Sequence, residues 1–223
     1  MIKLPIISFL NRKTNNPEGG RILLYHRIAI ADKDPYLLCV SPHNFHKQIT
    51  WLKNNRHIIP LKQLVKIIKR RENIDSKIIC ITFDDGYADN FINGLPILQK
   101  EKIPATFFIT ADMIGSKHKF YWDNKIPIKS CGRPLQTNEL FQMAKKSFVE
   151  IGSHTLTHPH LSRLTLEDQK EEISKSKIIL EDILKKTING FSYPFGTWHD
   201  YNHTTMDLVR NSGYVYAVAN YQQ

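Results

Sequence analysis

Residues 81–87 read ITFDDGY, and with Ile78, Ile79 and Cys80 before them they form an apolar, β-rich run that stops in two aspartates and a glycine. A run this short, bounded by turn residues, is the kind of strand that a parallel sheet buries on both faces. Asp84 and Asp85 then stand where strand meets loop, the position from which α/β folds present functional side chains. Neighbouring side chains at a strand end point in different directions, so one carboxylate can bind a metal while the other faces a substrate. The competing reading of Asp84-Asp85-Gly86 is a plain tight turn, in which these residue types are ordinary.

Outward from that strand, short apolar runs alternate with longer amphipathic ones, the pattern of an α/β fold. Strands are expected at residues 22–25, 57–59, 78–83, 105–109, 149–152, 190–193 and 214–218. Helices are expected near residues 41–54, 61–70, 88–101, 137–145, 165–186 and 201–211, and residues 112–135, with Tyr121-Trp122-Asp123, read as one long loop. Ser41-Pro42 places a cap before a proline at a first helical position, and Thr165 precedes Glu167 and Asp168 in a first turn. In the helix that follows, Ile173, Ile178, Ile179, Leu180, Ile183 and Leu184 make an apolar stripe directed at the core. Repeated strand–helix units serve a closed barrel and an open doubly wound sheet equally.

At 223 residues and 41% hydrophobic content the chain reads as one domain over residues 1–223, with an irregular extension over residues 1–20. Lys and Arg outnumber Asp and Glu by 31 to 21, a net charge of +10. The basic residues are scattered or lie on amphipathic faces, as in 66–71 and 175–186, and no nucleic-acid motif accompanies them, so no nucleic-acid partner is expected. Peripheral contact with a membrane or an anionic glycan stays open. Cys39, Cys80 and Cys131 are odd in number and lack metal-type spacing, which reads as reduced structural thiols. The start, MIKLPIISFLNRK, carries too short an apolar run for a secretory signal or a spanning helix, so the expected place is the cytoplasm or the periphery of the inner membrane.

The second cluster, Ser153-His154-Thr155-Leu156-Thr157-His158, follows the 149–152 strand. Asp85, His154 and His158 supply one carboxylate and two neutral imidazoles, a divalent-metal set that leaves a coordination position for water. Zinc is the expected ion, with iron, cobalt and nickel compatible with the same donors. An HxxxH spacing alone is also met by surface histidine pairs; its place after a strand, like that of the aspartates, would open both clusters on one end of a parallel sheet. Asp84 is the natural base for an activated water. Release of an amine needs a proton donor on the other side, and His26, at the end of strand 22–25 in LLYHRI, is the candidate; a histidine packed in the strand–loop junction is its plain alternative.

The ordered set LLYHRI, SPHNFHKQITWLK, ITFDDGYADN, IPATFFI, VEIGSHTLTHPHLSRLT, FSYPFG and SGYVYAV, covering most of residues 21–218, resembles the polysaccharide deacetylases, the NodB-like carbohydrate esterase family 4. The resemblance implies Asp84 as catalytic base, and Asp85, His154 and His158 as metal ligands. The reaction it implies is hydrolysis of an N-acetyl group from an amino sugar in a polysaccharide or lipid-linked glycan. The implied fold is an irregular (β/α) barrel of about seven parallel strands, with a short tail compatible with incompleteness at the carboxyl-terminal end. Two departures stand out. Many members carry an arginine that orients the base where this chain has Ser192, and the usual carboxyl-terminal LxH element is absent. The poly-N-acetylglucosamine deacetylase subgroup brings a YH motif to the front instead, which Tyr25-His26 matches, and the acid role is carried to His26 on that ground. Tyr193, Pro194 and Phe195 of the third motif, with Trp122 and Trp198, are expected substrate contacts, the Phe195 N–H as an oxyanion donor. Core packing is the competing reading for both tryptophans, and His160 and His203 read as surface histidines. Two other functions compete: a glycan-binding pseudo-enzyme, and an amidohydrolase for a small non-sugar amide.

Overall fold

The computed structural model describes residues 19–126 and 132–220; Cys131 and all but Gly19 and Gly20 of the expected extension lie outside the described residues. Strand β1 (Arg21–Tyr25) pairs in parallel with β5 (Ile78–Phe83), from Arg21 opposite Ile79 to Tyr25 opposite Phe83. From β5 the sheet runs through β6 (Ala105–Ile109), β7 (Val149–Ser153), β8 (Gly190–Ser192) and β9 (Tyr216–Val218), with β4 (His57–Ile58) beside the start of β5. All seven strands are parallel, and among the described residues β1 and β9 stand at the two ends of the strand order in a curled, incomplete barrel. A separate parallel pair, β2 (Arg27–Ile28) with β3 (Cys39–Val40), follows β1 and was too short to leave a periodic trace in the sequence.

Alternation along β5 places the helices. Ile79, Ile81 and Phe83 join Phe107, Ile109, Ile151 and Phe191 in one core. That core is closed by Phe45 and Ile49 of α1 (Pro42–Asn55), Leu98 of α3 (Leu95–Glu101), Leu140 of α4 (Thr137–Ala144), Ile173 and Leu180 of α5 (Leu166–Leu184), and Val209 of α6 (His203–Asn211). The intervening residues Ile78 and Cys80 meet Phe108, Tyr216 and the Leu61, Leu64 and Val65 side of α2 (Leu61–Lys69) in a second cluster. Further along the same face β5 turns polar, through Thr82 to Asp84, so the apolar filling gives way to functional groups at the carboxyl end. Phe83 stacks on Phe107 at 4.5 Å between ring centres, and truncating either to alanine would cost about 3–5 kcal/mol.

Helix starts follow their capping residues. Ser41 accepts the Asn44 N–H ahead of Pro42, and Thr165 accepts that of Asp168. The helix expected from residue 88 begins there but widens into a π-turn over Asn90–Gly94, because Pro96 has no N–H to give and the Leu95 N–H reaches back five residues to Asn90. Of the expected stripe on α5, Ile173, Leu180 and Leu184 are buried and Ile179 and Ile183 pack against the same core; only Ile178, 62% exposed, is corrected, and Gln169, Glu172 and Ser176 share the buried side. The last strand starts at Tyr216 and not at 214, since Tyr214 packs on Phe191 and donates its hydroxyl to the Ile173 carbonyl. Cys39 and Cys80 are free thiols. Among the described residues no helix is long and apolar enough to cross a membrane.

Candidate metal centre and active-site cleft

The carboxyl ends of β1, β5, β7 and β8 converge on one cleft of about 540 Å³, within the range usual for small-molecule sites. The Asp84 N–H extends the β1–β5 ladder to the Tyr25 carbonyl. The chain then turns sharply: Asp85 has φ +71° and Gly86 +89°, a conformation that favours glycine at the second place. The Thr110 N–H donates to the Asp85 carbonyl and the Leu135 N–H to that of Gly86, so the turn is fixed from two sides.

The histidine loop is built by hydrogen bonds rather than by a helix. After the His154 N–H donates to Ile109, Thr155 and His158 both take positive φ, +66° and +68°. Glu172 of α5 accepts the N–H groups of Leu156 and Thr157 at 2.9 Å each and the Thr157 hydroxyl at 2.6 Å. The Thr155 hydroxyl accepts the His158 N–H. With Phe195 at +60°, left-handed non-glycine residues gather around this cleft, where only the surrounding bonds can sustain them. Glu172 carries no motif of its own in the sequence; its sole hint was a carboxylate on the inner side of α5.

Asp85, His154 and His158 are all buried, with one ligand atom from each lying within 4.8 Å of the others. Asp85 Oδ1 stands 3.6 Å from His154 Nε2 and 3.5 Å from His158 Nε2, and has no hydrogen-bond partner. Those separations are long for hydrogen bonds, whereas two ligands each about 2.0–2.1 Å from a tetrahedral zinc stand about 3.3–3.4 Å apart. The His154 Nδ1–H donates to the Ser192 carbonyl at 2.9 Å, which leaves Nε2 with its lone pair toward Asp85. The donor set therefore fits a divalent cation. Without that charge, burial pushes His154 down to about 4 and His158 well below the usual imidazole range, while burial and the neighbouring Asp84 push Asp85 well up.

Asp84 lies beside this set, 3.7 Å from His154 Nε2, and accepts the Ser192 hydroxyl at 3.0 Å. Burial pushes its carboxyl up to about 6, opposed by His26 and by the Ser192 bond. His26 lines the same cleft; burial lowers it, with the Asp84 charge opposing. Ser192 thus contributes its carbonyl to one histidine and its hydroxyl to Asp84.

Tyr193, Phe195 and Trp122 line the cleft; Pro194 and Trp198 are not among its lining residues, Pro194 being buried beneath and Trp198 60% exposed on the turn beyond. Trp122 sits 4.5 Å from the His158 ring and donates its Nε1–H to the Tyr87 hydroxyl at 2.7 Å, which donates to Asp123 at 2.8 Å. Tyr87 is fully buried under Arg27, whose guanidinium lies 4.9 Å from the ring centre and pairs with Asp89 at 3.0 Å. His160, expected on the surface, also lines the cleft, its ring stacked 3.8 Å from Phe195 and its Nδ1 2.6 Å from Asp200. Its only sequence signal was position, two residues after a ligand. His203 opens α6 on the exposed side.

Residues 71–217, more than half of the chain, match the family model described as polysaccharide deacetylase. Among curated proteins the chain is 29% identical over 203 residues to YxkH of Bacillus subtilis, named for polysaccharide deacetylase, covering 91% of this chain and 64% of that protein. The chain thus spans less than two thirds of that relative's length. It is 27% identical over 227 residues to a poly-beta-1,6-N-acetyl-D-glucosamine N-deacetylase of Staphylococcus aureus, covering 92% of this chain and 73% of the other. In fold it is similar to the Streptococcus pyogenes deacetylase PplD, solved in complex with acetate, with a TM-score of 0.73 at 23% identity over 90% of this chain and 83% of that one.

Proposed function

We propose, from the premise that this chain belongs to the polysaccharide deacetylase family, that it hydrolyses N-acetyl groups from an amino sugar carried in a polysaccharide or lipid-linked glycan, releasing acetate and a free amine. The observation that carries the reading is Asp85 Oδ1, buried without a hydrogen-bond partner between two imidazole Nε2 atoms, with a second carboxylate alongside.

Asp85, His154 and His158 would hold a divalent ion, zinc by preference, with iron, cobalt or nickel suited to the same donors. The chemistry such an ion would supply there is Lewis acidity, which lowers the pKa of a water from about 9 toward about 7. Asp84 takes the proton of the attacking water. The Ser192 hydroxyl holds Asp84 Oδ2, which leaves Oδ1, buried without a hydrogen-bond partner, to accept that proton. His26, on the same cleft, gives a proton to the departing amine, the Asp84 charge favouring its protonated form against burial, which lowers it. Trp122, Tyr193 and Phe195 wall the cleft and supply the aromatic faces on which sugar rings settle, and the Phe195 N–H is the oxyanion donor. We place the protein in the cytoplasm or at the periphery of the inner membrane, on the support of its free thiols.

The test is acetate release from N-acetylglucosamine oligomers by zinc-loaded protein. Turnover that disappears in Asp84→Asn with zinc retained supports the reading; full turnover in that variant contradicts it.

A further inference from the structure

His160 is held more firmly than a rim residue needs to be. Asp200 is buried, its side chain 5% exposed, and its carboxylate accepts from the Thr197 N–H at 2.9 Å, the Thr197 hydroxyl at 2.5 Å and His160 Nδ1 at 2.6 Å. The imidazole lies parallel to Phe195, 7° between planes, so one face is covered and one nitrogen engaged. The side chain is 32% exposed and lines the cleft, and Nε2 is the ring nitrogen that Asp200 does not engage. Phe195 in turn packs edge-on against His158 at 4.8 Å, which puts His160 one aromatic ring further from the metal centre than the ligand itself. Gly196 secures the geometry: at φ +68° it rests on residue 220, and a Cβ there would lie 2.3 Å from the Asn220 backbone nitrogen. Thr197 and Asn220 complete the same wall. If packing on Phe195 were the only requirement, an apolar side chain would meet it without a buried carboxylate.

We infer that His160, oriented by Asp200 and backed by Phe195, is a binding subsite for a hydroxyl-bearing ring adjacent to the acetamido sugar, so that the acceptor is an oligomer. The inference rests on the deacetylase reading above. A carboxylate on Nδ1 holds a proton there and leaves Nε2 for a ligand, and a sugar hydroxyl, which can both donate and accept, is a matching partner. The exposed part of Phe195 offers the adjoining apolar surface. His160 touches substrate without taking part in bond breaking, so its loss belongs in KM.

The experiment compares acetate release from N-acetylglucosamine and from its tetramer and pentamer, in wild type and in His160→Phe, which keeps the stacked ring and removes both nitrogens. One lost neutral hydrogen bond predicts a KM for the oligomers about fivefold higher, with kcat and the monosaccharide kinetics unchanged. His160→Gln, which retains hydrogen-bonding capacity, should recover part of the loss. Melting temperature and zinc stoichiometry are read in parallel. Equal losses on monomer and oligomer, a fall in zinc content, or no change at all would overturn the inference, the first two by making His160 a brace for His158. Calorimetry of the pentamer on Asp84→Asn protein, with and without His160→Phe, separates the two readings. If no acceptor releases acetate the deacetylase reading fails, while oligomer binding weakened by His160→Phe still supports the subsite and unweakened binding removes it.

Discussion

Tyr87→Phe removes one oxygen from a side chain with no solvent exposure, and the structure sets what that oxygen contributes. Its hydroxyl donates to the Asp123 carboxylate at 2.8 Å and accepts the Trp122 Nε1–H at 2.7 Å. A bond to a charged acceptor contributes about 1.5–3 kcal/mol and a neutral one about 0.5–1.5, so the pair predicts a loss of about 2–4 kcal/mol. Packing should not add to this, because the ring keeps Phe120 at 4.4 Å and the Arg27 guanidinium above it, and no cavity opens. Urea unfolding followed by circular dichroism is the assay. With an m-value of about 2 kcal/mol/M the midpoint should fall by about 1–2 M at unchanged slope. The same bond fixes Trp122 against His158, so substrate KM should rise with it. A midpoint within about 0.2 M of wild type would refute the reasoning, since it would mean that neither bond survives against water in solution.

Ser192→Ala should keep zinc near wild type while lowering kcat by about tenfold to a hundredfold, the value of one hydrogen bond to a carboxylate; stopped acetate assays check it. Glu139 is held below its ordinary range of 4.5, first by the Arg133 bonds at 2.6 and 2.8 Å, so its contribution is complete above that value and is lost as pH falls through the lowered one. Glu139→Gln should therefore cost about 1 kcal/mol at pH 7 and approach wild type at low pH in pH-resolved melts. Gly132→Ala places a Cβ 2.4 Å from the Tyr87 ring and 2.9 Å from Arg27 Nε, and a loss of about 1–3 kcal/mol in urea unfolding is expected.

The strands of the main sheet were legible because they are short apolar runs, most with polar neighbours at the carboxyl end, and the seven-stranded sheet follows from that pattern. The curled, incomplete barrel was not legible from periodicity, which cannot separate it from an open sheet; only the ordered motifs implied it. Asp84, Asp85, His154 and His158 could be named because metal chemistry restricts residue type. Tyr87, Asp123, Glu172 and Asp200 could not, since each acts through a partner 15 to 40 positions away. His160 was misread for the same reason: nothing local distinguishes a histidine held by Asp200 from an exposed one. Ser192 looked like a deficit in the motif, yet its hydroxyl reaches Asp84 from the end of β8, with β6 and β7 between the two strands in the sheet. Pro96 was visible throughout, but the π-turn it causes depends on where the helix begins.

The most direct measurement is a zinc titration of metal-stripped protein by calorimetry. One ion per chain is predicted for wild type and for Asp84→Asn, with affinity lowered by a hundredfold or more, on the order of a lost ligand, in Asp85→Ala and His154→Ala. Wild type without stoichiometric binding, or His154→Ala binding as tightly as wild type, would contradict the account.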